Sequence, residues 1–429
     1  MVDELLVVHE GRVAATLTRG QRGRLHLAYD ADYVASPGAT PLSVGLPLSV
    51  PAYADARVRA WLWGLLPDND AVLTRWARDF GVSGSNPFSL LSTPIGEDCA
   101  GAFSFVPPER LDATVAGRGD VEWLTDAQLA DALRELRTDR TAWLGTSPPG
   151  RFSLAGVQSK TALIWDGTRW GRPSGAVATT HIVKPAIVGL DDHDLNEHLC
   201  LRSARAAGLP VVDTRVWTVE DQAAIVIRRY DRLERDGRQL RVHQEDLCQA
   251  FGLPPNLKYQ ADGGPSPRRV AGLLRMALPA SAAERAVRDF ADALVWNWII
   301  AGTDAHAKNY SLLLSGDSVR LAPFYDIASA LPYDDMPIQK LRLAMKFGGH
   351  YALEPTPSTW RRLASDLGVP EGDVVSRART LVDRAPEAFA DAARDESVAT
   401  LDSPLPTRLL DAVAARAKDC ARGLPCLAS

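Results

Sequence analysis

The stretch IIAGTDAHAKNYSLLL, Ile299 to Leu314, encloses Asp304, His306, Lys308 and Asn309 between two apolar runs. Asp304 precedes Asn309 by five residues. Phosphoryl-transfer loops use that separation to set a proton-accepting aspartate ahead of a metal-holding asparagine. Seventeen residues further on, PFYDIAS sets Asp326 behind a short apolar run, where a second oxygen ligand for magnesium is expected. Magnesium takes few protein oxygens and completes its shell with phosphate oxygens and water, so one carboxylate and one amide suffice. Taken singly, Asp304 reads equally as a helix cap and Asp326 as a strand terminus. Their spacing with Asn309 favours the chemistry.

Upstream, THIVKPA places Lys184 in a strand-like apolar context, where an ammonium needs an anion. A nucleotide α- or β-phosphate would meet that need. The plainer alternative is an edge-strand lysine whose stem lies on apolar surface with its head in water. Glu197, on the helix that follows, could hold Lys184 as a helix glutamate does in protein kinases. RFSLAGVQSKTAL, Arg151 to Leu163, is a glycine-containing turn between strands that could lie over phosphates through backbone N–H groups. It has neither GxGxxG nor GxxxxGK[ST], and a hairpin turn with a surface Ser and Lys would read the same way. IVIRRYDR, Ile225 to Arg232, ends the strand series where a nucleotide hinge would lie.

The elements that must position these residues follow from periodicity. Leu5 to Val106 alternates short apolar runs with turn residues, predicting a small β-rich module with a helix near Val58 to Trp76 and GAFSFVP as its closing strand. DAQLADALRELRT predicts a helix, and the turn-rich TSPPG after it a boundary. Strands are expected at SLAG, SKTALIW, THIVKPA, VVDTRVWTV and AAIVIRRYD, with the helix LNEHLCLRSARAAG between the third and fourth. Beyond about Leu240 helical spacing dominates, in QEDLCQAFG, RVAGLLRMAL, AAERAVRDFADALVWNWIIAG, STWRRLASDLG and TRLLDAVAARAKDCARG. The expected division is a β-rich module over 1–110, a helical linker over 111–150, a β-rich lobe over 151–240 and a helical lobe over 241–429.

Composition narrows the function classes. With 429 residues, 46% hydrophobic and 24% charged, the chain is a folded multi-unit protein rather than a disordered or fibrous one. Forty-eight basic against 53 acidic residues leave no global basic footprint for nucleic acid. The start MVDELLVVHEG lacks the positive charge of a secretory leader, and no apolar run approaches a membrane span, so a cytoplasmic protein with no membrane partner is expected. Five cysteines, Cys99, Cys200, Cys248, Cys420 and Cys426, form no CxxC pair and read as buried reduced thiols, and the dispersed histidines suggest no structural metal site.

The ordered set SLAGVQSKTAL, THIVKPA, NEHLCLRSARAAGL, HQEDLCQAFGLPPNLKYQADGGPS, NWIIAGTDAHAKNY and PFYDIASA resembles the HipA family of bacterial type II toxin–antitoxin kinases over nearly the whole chain. The string from His243 to Ser266 is the most diagnostic, since general kinase chemistry would not require it. The resemblance implies an α+β, bilobal protein-kinase-like fold with a small N-terminal β-rich module and a mostly helical C-terminal lobe. It implies ATP and Mg2+ as cofactors, and as partner a HipB-like antitoxin that binds operator DNA by helix-turn-helix. By position, it implies Asp304 as catalytic base, Asn309 and Asp326 as magnesium ligands and Lys184 as phosphate-binding lysine. His306, Ala307 and Lys308 would approach the nucleotide phosphates. Ala155, Gly156, Val157, Gln158, Ser159 and Lys160 would form the phosphate loop, Arg228, Arg229 and Tyr230 the adenine-side hinge, and Tyr325 a nucleotide neighbour. Ser153 would be the autophosphorylated serine that expels the loop and silences the kinase, although its residue type alone reads as a turn hydroxyl. Ser159 departs from the family's glutamate at that position.

Family toxins phosphorylate translation proteins, so the resemblance also implies an aminoacyl-tRNA synthetase substrate such as glutamate–tRNA ligase, and growth arrest. Operator DNA would be engaged mainly through the antitoxin, with Arg416, Lys418 and Arg422 as candidate phosphate contacts. Two rivals stand beside this reading. A small-molecule kinase of the aminoglycoside-phosphotransferase type shares the Asp-to-Asn spacing, and a non-catalytic co-repressor would keep the scaffold alone.

Overall fold

A computed structural model of the chain describes residues 3–143, 152–187, 189–333 and 337–425. The chain forms two compact units, one of Met1–Pro185, Thr218–Asn256 and Ser311–Ala322, the other of Ala186–Trp217, Leu257–Tyr310 and Pro323–Ser429. The expected boundary at TSPPG lies outside the described residues.

The first unit begins with a five-stranded antiparallel sheet in the order Ala52–Ala54, Leu25–Tyr29, Arg12–Arg19, Glu4–His9, Ser104–Val106. Its opening hairpin turns at Glu10 and Gly11, with φ of 48° and 74°. Two consecutive left-handed residues give the two-residue turn that matches strand twist. The single helix expected near Val58 to Trp76 is two, Asp55–Trp63 and Asp70–Asp79. Pro67 cannot continue the first, and Asn69 caps the second by accepting from the Ala71 and Val72 N–H groups.

A second sheet carries the strands Gln222–Arg228, His181–Pro185, Thr161–Trp165, Trp170–Pro173 and Val121–Trp123 in that spatial order. The segment 111–150, expected as a helical linker, therefore supplies a strand to this sheet as well as the helix Asp126–Thr138. SLAG forms only a bridge, Ser153 to Cys99. A third sheet joins His243–Asp246, Ser311–Ser315 and Ser318–Leu321, so these parts of the expected helical lobe group with the first unit. QEDLCQAFG is mostly not helix. Gln244 to Asp246 pair with Leu313 to Ser311, and only Leu247–Ala250 is helical, behind a capping box of Asp246 and Gln249.

Two buried polar assemblies bind the N-terminal module to the rest of this unit. In one, Asp98 and Asp231 meet three arginines. Arg232 reaches both carboxylates at 2.9 Å, Arg229 reaches Asp231 at 2.8 Å and Arg241 reaches Asp98 at 3.0 Å. Remaining guanidinium N–H groups donate to the carbonyls of Cys99, Gly101 and Thr179. Burial alone would push the Asp98 carboxyl up, but Arg232, Arg241 and Arg229 hold it far below the usual range. Burial is likewise outweighed by Arg229 and Arg232 at Asp231, which falls to about 2. In the other assembly, His243 Nε2 meets the Leu42 carbonyl at 2.8 Å and Glu245 Oε1 accepts from Val44 N at 2.7 Å. Gln249 Nε2 donates to the Trp61 carbonyl at 3.0 Å. A Cβ on Gly64 would fall 2.3 Å from Gln249 Cγ, so only glycine permits this approach. Burial drives His243 down to about 3 and Glu245 up to about 8, which keeps both neutral near pH 7.

The second unit is built on the helices His193–Ala206, Pro267–Ala277, Ala280–Ile299, Thr359–Leu367, Glu371–Ala393 and Leu405–Arg422. Glu371–Ala393 was not expected from the sequence. It contains Pro386 yet buries Val374, Ala378, Leu381, Val382, Ala385 and Phe389 along one face. Phe389 stacks on Trp296 with ring centroids 6.0 Å apart. Arg416, a candidate phosphate contact from the sequence, is instead buried. It donates to the Leu353 carbonyl at 2.9 Å and lies 5.5 Å from the Trp298 ring, so an apolar helix face holds it where phosphate cannot reach. Lys418 is exposed, and Arg422 pairs with Asp419. Cys99, Cys200, Cys248 and Cys420 are buried free thiols, as expected, and Cys426 lies outside the described residues. Among the described residues there is no cluster of three or more metal-ligating side chains and no helix long and apolar enough to cross a membrane.

Removing one partner of a buried charge cluster costs about 3–5 kcal/mol, because the other charges stay buried without compensation. Asp98→Ala should lower unfolding free energy by about that amount in a urea titration. The depressed carboxyls add stability that is fully present above their unfolded value of about 4 and is lost as pH falls toward 2. The acid limb of stability should accordingly be steep between those values in the wild type and shallower in Asp231→Asn. Arg416→Ala should cost about 2–4 kcal/mol by thermal or denaturant unfolding, with Lys418→Ala within about 0.5 kcal/mol of wild type.

Candidate active site

In the second unit the helix Ala280–Ile299 delivers the chain to the predicted loop. Ala301 turns back with φ 52°, and Gly302 N donates to the Asn297 carbonyl at 2.7 Å. A Cβ on Gly302 would lie 2.2 Å from Asn297 Oδ1, so glycine is required there. The loop then closes around the main-chain carbonyl of Asp304, which accepts from His306 N at 2.7 Å and from Asn309 Nδ2 at 2.8 Å. With its backbone thus held, Asp304 turns its carboxylate outward, the side chain 70% exposed. Oδ2 lies 4.0 Å from His306 Nε2, and Oδ1 accepts from the Tyr259 hydroxyl at 2.5 Å.

Asn309 is buried, and because its amide nitrogen serves Asp304, its carbonyl oxygen is the atom left for a cation. Tyr325 donates to the Lys308 carbonyl at 2.7 Å, which brings the PFYDIAS segment against the loop. Asp326 follows at φ 58°, an uncommon conformation for a residue with a Cβ. Asn196 secures the far side of this segment, its amide accepting from Ser329 N at 3.0 Å and donating to Ser329 O at 2.7 Å. Asp304, His306, Ala307, Lys308, Asn309, Tyr325 and Asp326 are thereby gathered in one unit. The donor set offered by Asn309 and Asp326 is one amide and one carboxylate oxygen, which suits a hard cation completed by phosphate and water.

The first unit carries the other predicted residues. Lys184 is buried on His181–Pro185, opposite Ile225, with strands on both sides. The edge-strand alternative for it is thereby set aside. In the loop that precedes it in sequence, Gly156 takes φ 109° and its carbonyl accepts from Asp68 N at 2.9 Å. Lys160 Nζ donates to the Ala155 carbonyl at 2.7 Å and lies 4.8 Å from the Trp143 ring. Gln158 Nε2 is 3.5 Å from the Pro185 carbonyl, Ser159 Oγ is 3.4 Å from the Arg140 carbonyl, and Val157 is exposed. Ser153 is fully buried, its hydroxyl donating to Leu65 O at 2.7 Å and its N–H to Asp98 O at 2.9 Å.

At the expected hinge, Arg228 is exposed, whereas the Arg229 guanidinium is consumed by the Asp98 cluster and the Tyr230 hydroxyl donates to Gln244 at 2.6 Å. Arg229 and Tyr230, expected in the adenine-side hinge, make these side-chain contacts within the first unit. Glu197 is buried on His193–Ala206, in the unit that does not contain Lys184. Sequence reasoning missed Tyr259, Asn196 and Asp98. Tyr259 lay in the His243 to Ser266 string and Asn196 in NEHLCLRSARAAGL, whereas Asp98 lay in no motif at all.

Residues 5–106 match the family model for the HipA N-terminal domain and residues 152–389 that for the HipA-like C-terminal domain. A Sinorhizobium fredii protein, Y4mE, provisionally named a kinase, is 34% identical over 412 residues, covering 95% of this chain and 96% of its own. The serine/threonine-protein kinase toxin HipA of Shewanella oneidensis is 29% identical over 371 residues, 82% of this chain and 80% of that one. A solved complex of Shewanella oneidensis HipA with HipB and operator DNA superposes with a TM-score of 0.82 at 25% identity, covering 97% of each chain. Two domain models in order, a relative spanning almost the full length and a matching mixed helix-and-sheet fold converge on one conclusion: the chain belongs to the HipA family of serine/threonine-protein kinase toxins and has that family's kinase-like fold.

Proposed function

We propose that this protein is the toxin kinase of a HipBA-like module, transferring the γ-phosphoryl of ATP to a serine hydroxyl of a translation protein, an aminoacyl-tRNA synthetase such as glutamate–tRNA ligase. The observation that carries the reading is the outward carboxylate of Asp304, its own backbone carbonyl held by Asn309, on a loop to which Tyr325 ties the segment of Asp326. Asp304 takes the proton of the acceptor hydroxyl while that oxygen bonds to the γ-phosphorus and ADP departs with the broken P–O bond. Lys184 meets the α- or β-phosphate oxygens, and His306 and Lys308 approach the same charge. Asn309 and Asp326 would hold magnesium, which when bound neutralises triphosphate charge. The phosphate loop from Ala155 to Lys160 supplies main-chain N–H groups.

The buried hydroxyl of Ser153 gives self-inactivation a physical basis. It fills a carbonyl of the N-terminal module, and a phosphoryl of about -1.5 to -2 charge could not occupy that place, so a phosphorylated loop would leave its seat. An antitoxin of the HipB kind is the expected partner in the cytoplasm, since the Shewanella oneidensis relative was solved with HipB and operator DNA. DNA would then be reached mainly through the antitoxin.

The test is intact-mass spectrometry of phosphatase-treated protein incubated with magnesium and ATP, with site mapping. Wild type should gain phosphate at Ser153 and label a synthetase in lysate. Asp304→Asn should lose transfer by at least about 100-fold while ATP affinity in calorimetry stays within about twofold. Transfer that survives in Asp304→Asn would remove that residue from the chemistry, and label on a metabolite would favour a small-molecule kinase.

A further inference from the structure

We infer that Tyr259 is the positioning residue for the Asp304 carboxylate, an inference that rests on the kinase reading above. The phenol donates to Oδ1 at 2.5 Å, and Oδ2 is the oxygen left to receive a substrate proton. Four separate constraints hold the phenol in place. Lys258 O, one residue before it, accepts from Ala307 N at 3.1 Å and ties this segment to the catalytic loop. Tyr259 O accepts from Gly264 N at 2.9 Å, and a Cβ on Gly264 would lie 2.8 Å from that oxygen and 2.6 Å from Leu257 O, so the turn demands glycine. Gln260 Oε1, one residue after it, accepts from Lys346 N at 2.8 Å. The ring meets His306 edge to face, centroids 5.1 Å apart at 84°.

A carboxylate 70% exposed on a loop otherwise samples several rotamers, and a general base must sit within hydrogen-bond reach of the proton it takes. A phenol anchored through its backbone on both sides selects one rotamer and leaves one carboxylate oxygen for the reaction. The donor also marks the direction from which a hydroxyl can approach, because Oδ1 is occupied and only Oδ2 is available to an acceptor. This gives the second part of the diagnostic string, NLKYQADGG, which general kinase chemistry would not require, a role.

The experiment compares wild type, Tyr259→Phe and Asp304→Asn for the rate of phosphate incorporation into the full chain at saturating ATP, ATP affinity by calorimetry and thermal midpoint. Tyr259→Phe should lower the rate about tenfold, with ATP affinity and midpoint unchanged, since misplacing a reacting group costs rate rather than binding. A rate equal to or above wild type would overturn the inference and make the phenol an occupant of the acceptor position. A loss of rate that tracks weaker ATP binding or a lower midpoint would also overturn it, by reducing Tyr259 to a structural residue. Wild-type rate in Asp304→Asn, or no phosphate incorporated by wild type, would instead bring down the underlying kinase reading and this inference with it.

Discussion

Asp98 is the residue on which the first unit turns. Its carboxylate gathers Arg229, Arg232 and Arg241 in a buried cluster, and its main-chain carbonyl accepts the N–H of Ser153. One residue of the N-terminal module thus touches both the arginine segment after Gln222–Arg228 and the start of the proposed phosphate loop. Charges withdrawn from water tolerate little displacement, because every ångström of separation in a low-dielectric interior is expensive. The module is for this reason part of the scaffold that holds Ser153 and the arginine segment, and residues 5–106 match their own domain model without being an independent appendage.

The same economy of backbone groups shapes the second unit. The loop from Asp304 to Asn309 has no regular ladder to satisfy its polar atoms, so side chains do it. Asn309 saturates the Asp304 carbonyl, Tyr325 saturates Lys308, and Asn196 clamps Ser329 in both directions. A buried polar group without a partner costs about 1–3 kcal/mol, so such a loop persists only where these partners exist. Their combined effect is to leave one carboxylate facing outward on a rigid frame, which is what proton acceptance requires.

The diagnostic string from His243 to Ser266 divides into two structural duties. Its first part, HQEDLCQ, seats a buried strand and short helix against Leu42, Val44 and Trp61 of the module. Its second part, NLKYQADGG, fixes Tyr259 beside Asp304. Neither duty is chemistry in itself, and this is why kinase logic applied to the residues did not account for the string.

The chain's local patterns determined a good deal. Amphipathic spacing located the helices Asp126–Thr138, His193–Ala206, Ala280–Ile299 and Leu405–Arg422, and the five-residue spacing singled out Asp304 and Asn309 before any geometry was known. Periodicity did not reveal that Gln244 to Asp246 form a strand, because a run buried on both faces carries no alternation to read. It also passed over Glu371–Ala393, whose internal proline masks a continuous apolar face. Arg416 shows the same limit for function, since a basic residue on a terminal helix reads as solvent-facing until Trp298 and Leu353 are seen to enclose it. Residue type and spacing belong to the chain itself and were legible in it. The partners of Asp98, the phenol on Asp304 and the seat of Ser153 join residues separated by up to 143 positions, and only the folded chain brings such residues within hydrogen-bond distance.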